Sequence, residues 1–101
     1  MTFWSVTPSV NLPSIKELGL IPKIGVRSAL QGETEPAVYM FTNKEDLEDA
    51  LVNWLGEELE DEPITMMKIT LPTSYEPFLK RVAFEVQCRK TIPADWIEFL
   101  E

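Results

Sequence analysis

The sequence contains no histidine and a single cysteine, Cys88. Without histidine, the chain cannot form a Ser-His or Cys-His nucleophile pair, an HExxH metalloprotease site or a zinc finger with histidine ligands. A single cysteine can form neither an intrachain disulfide nor an all-thiolate metal site. Catalysis in this chain would therefore have to use hydroxyls, carboxylates, arginine or lysine, and we expect no metal cofactor.

Glycine-rich phosphate loops and long apolar runs are also missing. The four glycines form neither the GxGxxG nor the Walker A spacing. No run approaches the roughly 18 apolar residues that span a bilayer, and the first ten residues lack the basic and apolar regions of a signal peptide. We therefore expect a cytoplasmic protein that does not associate with membranes.

Basic residues are scarce, since 9 Lys and Arg stand against 17 Asp and Glu, for a formal net charge of −8. This balance argues against binding of duplex nucleic acid. The negative charge is concentrated in the segment Glu45–Glu62, whereas the first 31 residues carry more basic than acidic side chains. The acidic segment is thus a candidate surface for a basic protein partner, and it leaves the N-terminal third free for a phosphate-bearing ligand.

A length of 101 residues is typical of one domain, and we assign 1–101 to a single domain. Apolar and β-branched patterns predict strands over 2–7, 37–41, 64–71 and 81–89, with a short strand or helical turn at 96–100. Helices are predicted over 12–18, ended by Gly19, and from a Thr42–Glu45 capping box to Leu55. Because these elements do not repeat a βαβ order, we predict an α+β domain with two helices and a small split or mixed β-sheet.

Three stretches carry a resemblance to a known family. They are FWSVTPSVNLPSIKELGLIPKIGVRS at 3–28, AVYMF at 37–41 and VQCRKTIPADWI at 86–97. The first stretch resembles the opening strand, helix and GL-P turn of the ADP-ribosyltransferase fold. The second resembles the second motif strand of that fold, with its tyrosine. The third resembles its late strand, with the I-P-x-x-aromatic-I ending. The similarity is greatest to the branch that holds the RNA 2′-phosphotransferases and the DNA-targeting ADP-ribosyltransferase toxins.

The resemblance implies that NAD, or a phosphorylated nucleic-acid end, binds in a cleft between the halves of a split sheet. The cofactor-binding residues that it implies are Ser5, Thr7, Arg27, Ser28 and Tyr39. It also implies catalytic roles for Tyr39, against the nicotinamide, and for Glu85, the late-strand carboxylate. Ser5 departs from the family, which places a first-strand His or Arg there, because a serine hydroxyl has neither the charge of Arg nor the stacking surface of His.

Each of these residues also has a structural interpretation. Tyr39 suits a core aromatic, Glu85 a solvated or paired carboxylate, Arg27 a partner of a loop glutamate, and Ser5 and Thr7 ordinary strand hydroxyls. Two functions follow as hypotheses. The first is a nucleotide-binding domain that transfers ADP-ribose from NAD to a macromolecule. The alternative is a catalytically inactive interaction or inhibitor protein, from a phage or toxin system, that binds a basic partner through its acidic segment.

Overall fold

The computed structural model describes residues 1–23, 36–52, 63–82 and 85–100, which fold as a small α+β domain. The strands are β1 (Thr2–Pro8), β2 (Val38–Phe41), β3 (Ile64–Thr70), β4 (Leu79–Val82), β5 (Glu85–Cys88) and β6 (Ile97–Leu100). The α-helices are α1 (Leu12–Leu18) and α2 (Lys44–Ala50), and short 3₁₀ helices cover Ser9–Asn11, Thr73–Phe78 and Ala94–Trp96. The predicted α+β class is confirmed.

The six strands form one sheet in the order β4-β5-β2-β1-β3-β6, and every strand pairing is antiparallel. Of the two predicted alternatives, a split or a mixed sheet, the mixed sheet is therefore wrong. The pairings differ in extent, because β1 and β3 are in register over seven residue pairs, whereas β1 and β2 share the single registered pair Trp4 and Phe41. The sheet thus consists of two three-stranded halves, β4-β5-β2 and β1-β3-β6, that meet at one residue pair.

The two faces of the sheet bury different clusters. Alternate residues of β1 are buried on one face, which we call the major face. Its core comprises Phe3, Ile15, Val38, Met40, Met67, Ile69, Leu71, Tyr75, Val86, Cys88, Ile92 and Ile97. On the opposite or minor face, Leu47 and Ala50 of α2 pack with Phe41, and Trp4, Val6, Leu51 and Met66 surround them. Both halves of the sheet therefore contribute to both cores.

Gly19 ends α1 as the sequence predicted, and it also allows a close approach of two backbones. Its φ is +78°, a conformation that side chains with a Cβ adopt reluctantly. A Cβ at this position would collide with the backbone carbonyl oxygen of Ile92. Leu20 and Ile92 then exchange two backbone hydrogen bonds of 2.8 and 2.9 Å. The segment that leads to β6 is held against the end of α1 in this way.

The N-cap of α2 is one residue later than the sequence predicted, at Asn43 instead of Thr42. The Asn43 Oδ1 atom accepts a hydrogen bond of 2.7 Å from the backbone N–H of Asp46. The Asn43 Nδ2 atom donates a second one, of 2.9 Å, to the Asp46 carboxylate. Asn43 thus caps α2 with both polar atoms of its carboxamide. The predicted helix end at Leu55 lies outside the described residues.

The predicted single strand over 81–89 is wrong, because the chain reverses within it. Strands β4 and β5 pair with each other, and the register places Val82 opposite Glu85. Arg81 is consequently opposite Val86, although the single strand would have put these two residues on different faces. Alternation of polar and apolar residues has the same period in one long strand and in two short ones. Residues 83 and 84, Ala-Phe, give no turn signal either.

Candidate functional site

The position at which β1 and β2 separate is marked by Ser5. Directly after the Trp4–Phe41 pair, the Ser5 Oγ atom donates a hydrogen bond of 2.7 Å to the backbone carbonyl oxygen of Tyr39. Ser5 is buried, at 8% exposure, so water cannot replace its hydroxyl as the partner of this carbonyl oxygen. We call Trp4, Ser5, Tyr39 and Phe41 the strand junction. At the junction, one side-chain hydroxyl connects the two halves of the sheet.

Beyond Ser5, the end of β1 carries a group of polar side chains on the major face. Thr7 and Thr65 are buried and lie opposite each other in the β1–β3 register. The Asn11 Nδ2 atom donates to the Thr7 Oγ1 atom at 3.4 Å, and the Ser9 and Thr65 hydroxyls are 2.7 Å apart. These contacts satisfy the hydroxyls from within the fold, as the structural interpretation of Thr7 requires.

Tyr39 and Glu85 lie together on the minor face. Tyr39 is opposite Gln87, and Phe41 is opposite Glu85, so Tyr39 and Glu85 are diagonal neighbours across the β2–β5 ladder. Such neighbours are about 7–8 Å apart, within reach of long side chains. The Tyr39 hydroxyl is fully buried and has no hydrogen-bond partner among the residues that the structure describes. A buried phenol without a partner is uncommon in folded proteins and requires an explanation.

The structure thus divides the predicted site residues between the faces of the sheet. Ser5 contacts the backbone of Tyr39, and Glu85 is diagonal to Tyr39, so all three surround one segment of β2. The side chains of Ser5 and Thr7 nevertheless belong to the major face, opposite to those of Tyr39 and Glu85. The remaining predictions, Arg27 and Ser28, lie outside the described residues.

Two polar residues of the minor face were missed by sequence reasoning. Gln87 is buried, at 5% exposure. Lys80 of β4 is exposed and lies directly opposite Gln87. Together they extend a cross-strand row, Tyr39–Gln87–Lys80, from β2 to the edge of the sheet. The signal that identifies this row is the strand register of the β4–β5 hairpin, which one sequence does not display.

A shallow cavity of about 540 Å³ lies in the other half of the sheet. Its lining residues are Lys68, Thr70, Leu71, Pro72, Asp95, Trp96, Ile97 and Glu98. None of them is a predicted site residue. This cavity is therefore separate from the strand junction, and it belongs to the β3–β6 edge.

Cys88 is a core side chain of β5. It is fully buried, and its Sγ atom donates to the backbone carbonyl oxygen of Lys90 at 3.3 Å. Burial raises the pKa of the Cys88 thiol, and the hydrogen bond and charge of Lys90 oppose this effect only in part. The thiol is thus protonated and inaccessible in the native state, so it is not a nucleophile.

Comparisons with known proteins provide no relative. No family model matches the chain, and no curated protein or solved structure matches it either. Within residues 1–23, 36–52, 63–82 and 85–100, no helix is long and apolar enough to cross a membrane. The same residues include no group of three acidic or cysteine side chains that could hold a metal ion. The function must therefore be inferred from the strand junction and its surroundings.

Proposed function

We propose that this protein is an ADP-ribosyltransferase-like domain that binds NAD or a related nucleotide on the minor face, beside the strand junction. The observation that carries this proposal is the buried, unpartnered hydroxyl of Tyr39, with the Glu85 carboxylate as its diagonal neighbour. An unsatisfied buried hydroxyl costs about 1–3 kcal/mol, and a ligand that bonds to it offsets this cost. A nucleotide offers both acceptors and donors for such a bond.

The two-part sheet supports the proposal. The resemblance leads to a ligand between the halves of a split sheet, and the halves here meet at one registered pair. Ser5 then acts as a positioning residue instead of a cofactor contact, because its hydroxyl holds the backbone of Tyr39 from the major face. This role requires only a short side chain that donates a hydrogen bond, so a serine is sufficient at a position where the family has a His or Arg.

The chemistry that this arrangement favours is transfer of ADP-ribose to a macromolecule. The bond between ribose C1′ and the nicotinamide nitrogen breaks, and its electron pair leaves with nicotinamide. A lone pair of the acceptor forms the new bond to C1′, and the acceptor's proton passes to solvent. The Glu85 carboxylate stabilises the positive charge that develops on the ribose, while Tyr39 brackets the nicotinamide.

Titration calorimetry with NAD tests the proposal, and the chain offers a matched pair of variants. It has two tyrosines, and the hydroxyl of Tyr75 donates to the Thr91 carbonyl at 2.7 Å. Tyr39→Phe should weaken NAD binding about tenfold without loss of stability, since its hydroxyl has no partner to lose. Tyr75→Phe should lower the unfolding free energy by about 1 kcal/mol and leave NAD binding unchanged.

Glu85→Gln separates binding from transfer. It should retain NAD affinity within about threefold and abolish transfer of label from NAD to acceptors in a lysate, because it removes the charge needed in the transition state. Absence of heat with NAD at about 1 mM would reject the binding proposal. Equal transfer by the wild type and Glu85→Gln would reject the catalytic role of Glu85.

A second candidate function is favoured by the surface of α2. Its outward positions Glu45, Glu48 and Asp49 are exposed carboxylates, and Val52 beside them is 84% exposed. An apolar side chain among carboxylates suits a basic, partly apolar protein partner. Charge reversal by Glu45→Lys with Glu48→Lys should then abolish a salt-sensitive association in a pull-down, and Glu17→Lys on α1 is the control. An unchanged set of partners would reject this function.

A further inference from the structure

The proposed function assigns a role to Tyr39 of the row Tyr39–Gln87–Lys80, but none to Gln87 or Lys80. Tyr39 and Gln87 face each other across the β2–β5 ladder, and Gln87 and Lys80 face each other across the β5–β4 ladder. Residues in register on antiparallel strands share a face, so the three side chains form one line on the minor face. With strands about 4.8 Å apart, the line is about 10 Å long between the outer Cα atoms.

The row changes from buried to exposed along its length. The Tyr39 hydroxyl is buried without a partner, and Gln87 is 5% exposed. The buried Tyr39 hydroxyl without a partner is a cost that a polar ligand would offset, and Gln87 lies directly beside it.

The exposed end of the row carries a positive charge. Lys80 lies on β4, the edge strand of the sheet, and it forms no ion pair with a described residue. Its neighbour Arg81 points to the major face and pairs with Glu76 at 3.4 Å, so it does not compete for the same ligand. Glu85 lies one row away on the same face.

We infer that this row binds a nucleoside phosphate, with the base edge at Tyr39 and Gln87 and the phosphate at Lys80. A carboxamide is a donor beside an acceptor, and it bonds in two-point fashion to an adenine edge or to another carboxamide. A lysine ammonium at the surface binds phosphate as a point charge. The inference rests on the proposed function, and it identifies the parts of β4 and β5 that contact the ligand.

Calorimetry with AMP, adenosine and NAD tests the inference. Lys80→Gln should weaken AMP binding about tenfold and leave adenosine binding unchanged, because only AMP carries the phosphate. Gln87→Glu should weaken the binding of both AMP and adenosine, since it replaces a hydrogen-bond donor by a second acceptor. Lys68→Gln is the matched control: Lys68 is an exposed lysine on the same face, in the other half of the sheet. It should bind AMP like the wild type.

The outcomes separate this inference from the proposed function. If NAD binds and Lys80→Gln binds AMP like Lys68→Gln, the row is rejected and the nucleotide-binding function stands. If AMP binding depends on Lys80 but NAD does not bind, the row stands and the NAD-binding function is rejected. If neither ligand binds, both are rejected. Lys80 is exposed, so its substitution should not disturb folding. Equal melting temperatures of Lys80→Gln and Lys68→Gln would then exclude misfolding as the cause of a difference in AMP binding.

Discussion

The two edges of β1 differ in how far each is paired with its neighbouring strand. Toward β3, the strand is in register along its whole length, from Thr2–Thr70 to Pro8–Ile64. Toward β2, it is in register at Trp4–Phe41, and the next connection is the bond from the Ser5 hydroxyl to a carbonyl. A sheet can therefore be continuous in strand order and still consist of two parts with separate backbone ladders.

This difference explains where the candidate site lies. A fully paired edge leaves no backbone group for a ligand and no gap between strands. An edge paired at one position leaves the following residues of both strands to find other partners. Ser5 satisfies one of these groups, and Tyr39 is the residue at which β2 leaves β1. The shared apolar core beneath then has to hold the halves together.

The largest expected effect comes from a matched pair of buried methionines. Met67 of β3 and Met40 of β2 both lie in the major core, at 1% and 0% exposure. Each substitution to Ala should lower the unfolding free energy by about 2–5 kcal/mol, measured by urea denaturation. The rates of amide hydrogen exchange should distinguish the two variants. Met67→Ala should raise these rates throughout the sheet, whereas Met40→Ala should raise them first in β2, β4 and β5. Identical exchange profiles would mean that the halves open as one unit.

A smaller effect is expected at the strand junction itself. Ser5→Ala removes the donor to the Tyr39 carbonyl and leaves that acceptor buried, at a cost of about 1–3 kcal/mol. The control is Thr2→Val, a hydroxyl deletion on the same strand at the other face, which should change stability by less than about 0.5 kcal/mol. If Ser5→Ala were as stable as Thr2→Val, the hydroxyl would not connect the halves.

Much of this fold was predictable because its elements are local. The strands β1, β2 and β3, the helix α1 and its end at Gly19 follow from residue type and spacing, and of the two alternatives for 96–100 the structure has the strand, β6. The β4–β5 hairpin did not, since a chain reversal without glycine or asparagine preserves the alternation of a single strand. The cap of α2 differed by one residue because Thr42 and Asn43 are both competent N-caps.

The candidate site was less predictable, for a physical reason. Tyr39 and Glu85 were identified by resemblance, and their placement on one face depends on the β2–β5 register. The β2–β5 register also makes Gln87 a buried neighbour of Tyr39, whereas the β1–β2 pairing puts Ser5 behind Tyr39. A period of two residues determines which side chains of one strand share a face, but pairing between strands determines which faces coincide.

The smallest expected effect uses Cys88 to observe the β4-β5-β2 half alone. The thiol is fully buried on β5, so a thiol reagent can reach it only when this half opens. We expect the free energy of opening, from labelling rates, to be lower than that of global unfolding, and Ser5→Ala to accelerate labelling more than Thr2→Val does. Equal free energies for labelling and global unfolding would contradict the two-part description of the sheet.

The same thiol makes a contribution to stability that depends on pH. Burial raises the pKa of Cys88 in the folded protein, so the folded state holds the thiol proton more tightly than the unfolded state. The contribution is complete below the unfolded thiol pKa of about 8.5, and it is lost as the pH rises through the higher folded value. The unfolding free energy of the wild type should therefore fall more steeply with alkaline pH than that of Cys88→Ala. Parallel pH profiles would show that the thiol becomes solvated without opening of β5, and the labelling experiment would then measure local access instead of separation of the two halves.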